Sequence, residues 1–132
     1  MTGIIVLFER QEEARGIRGL LVRNGYDTVR LCMQGGQALS VADELGSGIL
    51  ICGYRYADMT FAELAEDLPR GFNVLLLAKG DQLEDGAEYG AVTLSMPLKT
   101  TDFLSTLEMM VETQERERRK RQLSPKECYE VS

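Results

Sequence analysis

Gly48-Ile49-Leu50-Ile51-Cys52-Gly53 is the stretch whose reading decides the fold. It is apolar without interruption, bounded by glycine at both ends, and followed by the polar loop Tyr54-Arg55-Tyr56-Ala57-Asp58. So short a run between glycines cannot make a buried helix, whereas a strand apolar on both faces belongs in the middle of a sheet covered by helices. In open α/β sheets, ligands and chemistry gather at the carboxyl ends of such strands. Here that end is Gly53, which offers no side chain.

Outward from this strand, Gly3 to Phe8 and Val74 to Ala78 are equally apolar and read as its neighbours. Asp27 to Met33 alternates loosely as a further strand, and Ala91 to Ser95 is the last one. Between them the period changes to helical. Ala14, Ile17, Leu20 and Leu21 share a face over Gln11 to Asn24, with Gly25 as the stop. Ala38, Val41, Ala42 and Leu45 do the same over Gln37 to Leu45. Thr60 and Glu63 form a capping box for a helix that buries Phe61, Leu64, Ala65 and Leu68 and ends before Pro69. The acidic region 80–90 is the weakest element, read as one or two helical turns. A last helix begins near Thr100 with the stripe Phe103, Leu104, Leu107, Met110 and Val111, runs to about Gln122, and stops at Ser124-Pro125.

Five strands alternating with five helices on short loops imply parallel strands and right-handed crossovers. The expected architecture is a doubly wound, flavodoxin-like α/β sheet of order 2-1-3-4-5 with an extended C-terminal helix. At 132 residues, one globular domain over 1–112 and a basic linker helix and tail over 113–132 are expected. A chain this long buries roughly two-thirds of its unfolded surface and needs no disulfide or metal for a core.

The composition narrows the chemistry. No apolar run is long enough to span a membrane and the N-terminus does not read as a leader, so a cytoplasmic location is expected. Cys32, Cys52 and Cys128 are odd in number and unrelated in spacing, and Cys32 and Cys52 read as buried hydrophobes. With no histidine and no Cys-x-x-Cys pair, neither a zinc site nor any other metal site is expected, and Ser-His and Cys-His nucleophiles are excluded. The loop Glu9-Arg10-Gln11-Glu12-Glu13 lacks the glycine or hydroxyl pattern of a dinucleotide or flavin phosphate loop, so no cofactor is expected.

The loop Gly53-Tyr54-Arg55-Tyr56-Ala57-Asp58-Met59 and the run Ser95-Met96-Pro97-Leu98, set in this α/β pattern over residues 3 to about 112, resemble the receiver domain of bacterial response regulators. The family's activity would be phosphoryl acceptance on an aspartate assisted by Mg²⁺. The resemblance also implies a cis peptide between Met96 and Pro97. At nearly every working position the chain departs from the pattern. Gly53 stands at the phosphoacceptor, Phe8-Glu9 at the acidic pair, Ala78 at the switch hydroxyl and Met96 at the lysine. One carboxylate without acceptor or cation leaves Mg²⁺ and the phosphoryl charge without support. Glu9 reads as a solvated remnant rather than a metal ligand. The resemblance implies a degenerate, phosphorylation-incompetent pseudo-receiver and no enzyme.

Cys52-Gly53-Tyr54-Arg55, Leu94-Ser95-Met96-Pro97-Leu98-Lys99 and Glu115-Arg-Glu-Arg-Arg-Lys-Arg further resemble regulators that couple such a receiver to an RNA-binding antiterminator (ANTAR) output. That resemblance implies a fused RNA-binding helical output module or a regulatory protein partner. Residues 1–115 hold 9 basic and 18 acidic residues, whereas 116–126 hold six basic and one acidic. The basic run carries no aromatic for base stacking, so it reads as a solvated linker helix rather than a direct nucleic-acid site. Phe103, Leu107, Met110 and Gln114 fit a short coiled-coil seam, and a homodimer through it is expected. Tyr54, Arg55 and Tyr56 rim the site, either plugging it or contacting a small ligand, or simply packing as loop aromatics. The alternative function is a small-molecule-sensing pseudo-receiver with a pocket over Gly53.

Overall fold

The computed structural model describes the backbone of residues 2–131 and the side chains of residues 2–120. Its elements alternate strictly: β1 Ile4–Leu7, α1 Gln11–Arg23, β2 Val29–Cys32, α2 Gly35–Leu45, β3 Ser47–Cys52, α3 Phe61–Asp67, β4 Gly71–Ala78, α4 Asp81–Glu88, β5 Val92–Ser95 and α5 Thr100–Val131. All pairings are parallel and the sheet order is β2-β1-β3-β4-β5, as expected. None of the described helices is long and apolar enough to cross a membrane.

Period-two alternation sends the central strands' side chains into two cores. Ile4, Val6, Ile49 and Ile51 face Ala14 and Leu21 of α1 and Phe103, Leu107 and Met110 of α5. Ile5, Leu7, Leu50 and Cys52 face Ala38 and Ala42 of α2 and Phe61 and Leu64 of α3, with Leu83 of α4 packed alongside. Every residue of β1 is buried, as is β3 after Ser47, which is why both read as uninterrupted apolar runs. Each fully buried Ile or Leu here contributes about 1.5–3 kcal/mol relative to leaving it in water.

Several boundaries move for reasons that lie outside the local sequence. The amino end of α2 is Gly35 rather than Gln37, because the Asp58 carboxylate accepts from the amides of Gly35 and Gly36, each at 2.9 Å. β4 begins at Gly71 rather than Val74, since Gly71 to Asn73 pair with Ser47 to Ile49 of β3. Region 80–90 forms a helix from Asp81 to Glu88. Its packing depends on Gly86, where a Cβ would run into Leu76 Cδ2 of β4. The Thr60–Glu63 capping box is present as read.

Two expectations for α5 are corrected. The helix continues through Ser124-Pro125 to Val131, because a proline removes a single backbone donor and bends a helix without obliging it to end. The seam is the larger correction. Phe103 and Leu107 have no exposed surface, Met110 and Gln114 very little, and all face this chain's own sheet rather than a partner. The spacing that suggested a two-helix seam is the spacing of a helix lying on a sheet. Gln114 donates from Nε2 to the carbonyls of Gly48 at 2.9 Å and Gly71 at 2.8 Å, pinning α5 to the first residues of β3 and β4.

Candidate functional site

The carboxyl ends of β1, β3, β4 and β5 open on one side of the sheet, where Phe8, Gly53, Ala78 and Met96 line a single depression of about 340 Å³. The residues assigned to the degenerate site from sequence are thus brought together. Their chemistry is apolar. Phe8 and Ala78 are buried, and Leu77 joins them in the floor.

Gly53 has little room for a side chain. A Cβ built on it would lie 3.1 Å from Phe8 Cδ1 and 3.3 Å from Cε1, tighter than ordinary contact. The phenyl ring therefore stands where a side chain from position 53 would begin, so the shapes of residues 8 and 53 are complementary. The loop after Gly53 is fixed from below. Tyr56 is buried and its hydroxyl donates to the Gly53 carbonyl, and burial raises its pKa. Cys52 is buried beside it, its thiol pushed by burial up to about 12, so it supplies no thiolate near neutral pH. Cys32, buried on β2, is likewise raised, chiefly by burial.

Tyr54 does not plug the depression. Its hydroxyl donates to Asp85 Oδ2 of α4 at 2.7 Å, and that bond is the main reason its pKa is raised. Its ring stacks on Phe61 at 5.9 Å, and Phe61 in turn meets Tyr89 edge-on at 6.0 Å. Tyr54 is a wall shared with a second hollow of about 460 Å³ over the start of α3, to which Tyr56 belongs. Glu9 and Arg55 lie on the rim of both hollows.

Sequence reading missed four polar members of the first depression: Arg10 and Glu13 from the start of α1, and Lys79 and Gln82 from the loop and first turn of α4. The topology brings them there, because both helices begin where β1 and β4 end. It also missed Asp58, whose pKa is lowered by its bonds to the amides of Gly36 and then Gly35. The acceptors of Gly35 and Gly36 are more than twenty residues away, so no local signal marks them. Among the described residues no cluster of three or more His, Cys, Asp or Glu side chains could hold a metal ion. Glu9 is exposed, and its neighbour Phe8 offers no oxygen ligand. The Met96–Pro97 peptide is cis, as the resemblance implied.

No protein-family model matches the chain, and no curated protein matches it in sequence. Solved structures do. The signal receiver domain of an HD domain-containing protein from Pseudomonas fluorescens Pf-5 superposes with a TM-score of 0.75 at 18% identity, covering 88% of this chain and 99% of that one. A response regulator receiver domain protein from Clostridium thermocellum gives 0.78 at 14% identity, over 87% and 98% of the two chains. A CheY-like receiver domain protein from Methanospirillum hungatei JF-1 gives 0.72 at 17% identity, over 89% and 99%. At these identities the likeness establishes a CheY-like receiver fold.

Proposed function

We propose that this chain is a phosphorylation-incompetent, receiver-like regulatory and dimerisation module of a bacterial response regulator, coupled to an RNA-binding antitermination (ANTAR) output. The observation that carries the first part is the packing of Phe8 on Gly53. Phosphoryl transfer needs a carboxylate nucleophile, a divalent cation and a cation on the transferred group. Positions 8, 53, 78 and 96 provide a phenyl ring, a bare backbone, a methyl and a thioether. The test is incubation with acetyl phosphate and Mg²⁺, read by intact mass. No phosphoryl adduct is expected, and a stoichiometric adduct would overturn the reading.

The output coupling is supported by α5, which continues past Gln114, its last buried residue among those described, and carries the basic run beyond. Self-association must use a surface other than the buried stripe. Val92 on the edge strand and Met109 on α5 are 40% and 66% exposed and flank a groove of about 230 Å³. They are exposed apolar side chains on which a homodimer could begin, and a Glu at position 109 would place a charge there without touching the core. Sedimentation equilibrium is expected to show a dimer for the native chain and a monomer for Met109→Glu. A native monomer would remove self-association from the proposal.

One observation favours the second reading, small-molecule sensing. The depression over Gly53 is open, with an apolar floor of Phe8, Leu77 and Ala78 beneath a charged rim. A ligand that bound one conformation better would shift its population without any chemistry.

A further inference from the structure

We propose that the depression over Gly53 is a binding site for an organic anion with a flat apolar body, of the aromatic carboxylate or sulfonate class. The inference rests on the second reading above and names the ligand class it would take.

Two features of the site point to this class together. The floor is apolar: Phe8, Leu77 and Ala78 are buried at its base, and Met96 lies beside them. A bare phosphate or sulfate would gain nothing from such a floor, whereas a planar hydrocarbon would bury area on it. The rim is cationic: Arg10, Arg55 and Lys79 face the same hollow, against the carboxylates of Glu9 and Glu13. Three cations facing two carboxylates leave the rim net positive in a protein whose formal charge is −6. Arg10 stands 4.0 Å from Glu13. Among the described residues neither Arg55 nor Lys79 forms an ion pair. Both are exposed and so can move onto a ligand at little structural cost. Arg55 offers a planar fork to a carboxylate or sulfonate, and Lys79 a second point charge.

The size agrees. A hollow of about 340 Å³ lies within the range of small-ligand sites, roughly 300–1,000 Å³. Tyr54 closes one side, held there by Asp85 and Phe61, so the wall is formed before any ligand arrives.

The experiment is a fluorescence titration of the full chain with anilinonaphthalene sulfonate, an aromatic anion, beside the neutral phenylnaphthylamine. The sulfonate is expected to bind at one site per chain. Arg55→Gln/Lys79→Gln is expected to weaken it about tenfold. Arg70→Gln, which removes an exposed cation outside the hollow, is expected to leave it unchanged. Both substituted side chains are exposed, and an unchanged thermal midpoint confirms that the double variant folds. If the neutral probe binds as well as the sulfonate and ignores the double substitution, the anion class is overturned while a sensing pocket stands. If inorganic phosphate displaces the sulfonate at equal concentration, the need for an apolar body is overturned. If neither probe binds, the inference and the sensing reading fall together.

Discussion

At the carboxyl ends of β1 and β3, Phe8 lies against Gly53 and the floor of the depression is apolar. At the amino ends of β3 and β4, a single buried amide, Gln114, donates to Gly48 and Gly71 and fastens α5 to the sheet. The sheet thus has one end with an apolar floor and another where a polar side chain is buried beneath a helix. Packing hydrocarbon on hydrocarbon needs only complementary volume. Seating an amide under a helix needs both acceptors in place, because a buried polar group without partners is costly. The contrast separates a site open to substitution from a joint that is tightly specified.

Among the substitutions that probe the contrast itself, the largest effect is expected at the joint. Gln114→Leu keeps the volume but leaves the Gly48 and Gly71 carbonyls without this donor, and each unsatisfied buried group costs about 1–3 kcal/mol. A loss of about 2–4 kcal/mol in urea unfolding, with an unchanged denaturant slope, is expected. A loss below about 0.5 kcal/mol, the usual range of a surface substitution, would break the contrast by showing the amide is ordinary surface.

A smaller cost is expected at the filled site. Gly53→Asp forces a side chain into the edge of the Phe8 ring and should cost about 1–3 kcal/mol by overpacking. Phe8→Ala alone opens a cavity and costs more, about 3–5 kcal/mol, but this measures core packing rather than the pairing. The pairing is read from the double variant, which should be more stable than the two single costs predict by about 1 kcal/mol. Strict additivity would mean that the Phe8 ring and a side chain at position 53 do not compete for the same space.

How much of this was legible in the sequence follows the same division. The strands, their order and the apolar floor could be read, because periodicity and glycine boundaries are local signals carried by Ile49, Leu50, Ile51 and their neighbours. The capping box was legible for the same reason, with Thr60 and Glu63 three residues apart. The seam on α5 was misread because helix-on-helix and helix-on-sheet packing place apolar residues at nearly the same spacing. Phe103 and Leu107 satisfy both, and only the contacts of Gln114 with two distant strands separate them. Arg10, Lys79 and Gln82 were missed because neighbouring loops meet at the site only once the sheet is assembled.

Asp58 provides the smallest and most discriminating test, since its carboxylate fastens the loop after β3 to the start of α2. Its carboxylate accepts from the amides of Gly36 and Gly35, and those bonds lower its pKa from the ordinary value of 3.8. The site also lies at the amino end of α2, where a negative charge is favoured by the helix dipole. Because the folded pKa is the lower one, the unfolded chain binds the proton more readily. The stabilisation is therefore complete above the ordinary carboxylate range and is lost as pH falls through the folded value. Asp58→Asn keeps an acceptor and removes the charge. Its melting temperature should lie below that of the native chain at neutral pH and converge on it in acid, and added salt should narrow the neutral-pH gap because the site is open to solvent. A gap that persisted unchanged into acid would assign the fastening to hydrogen-bond geometry alone, making the ends alike in not depending on charge. Convergence would instead make the bonds of Asp58 to the start of α2 a pH-sensitive fastening, with the buried amide at the other end indifferent to pH.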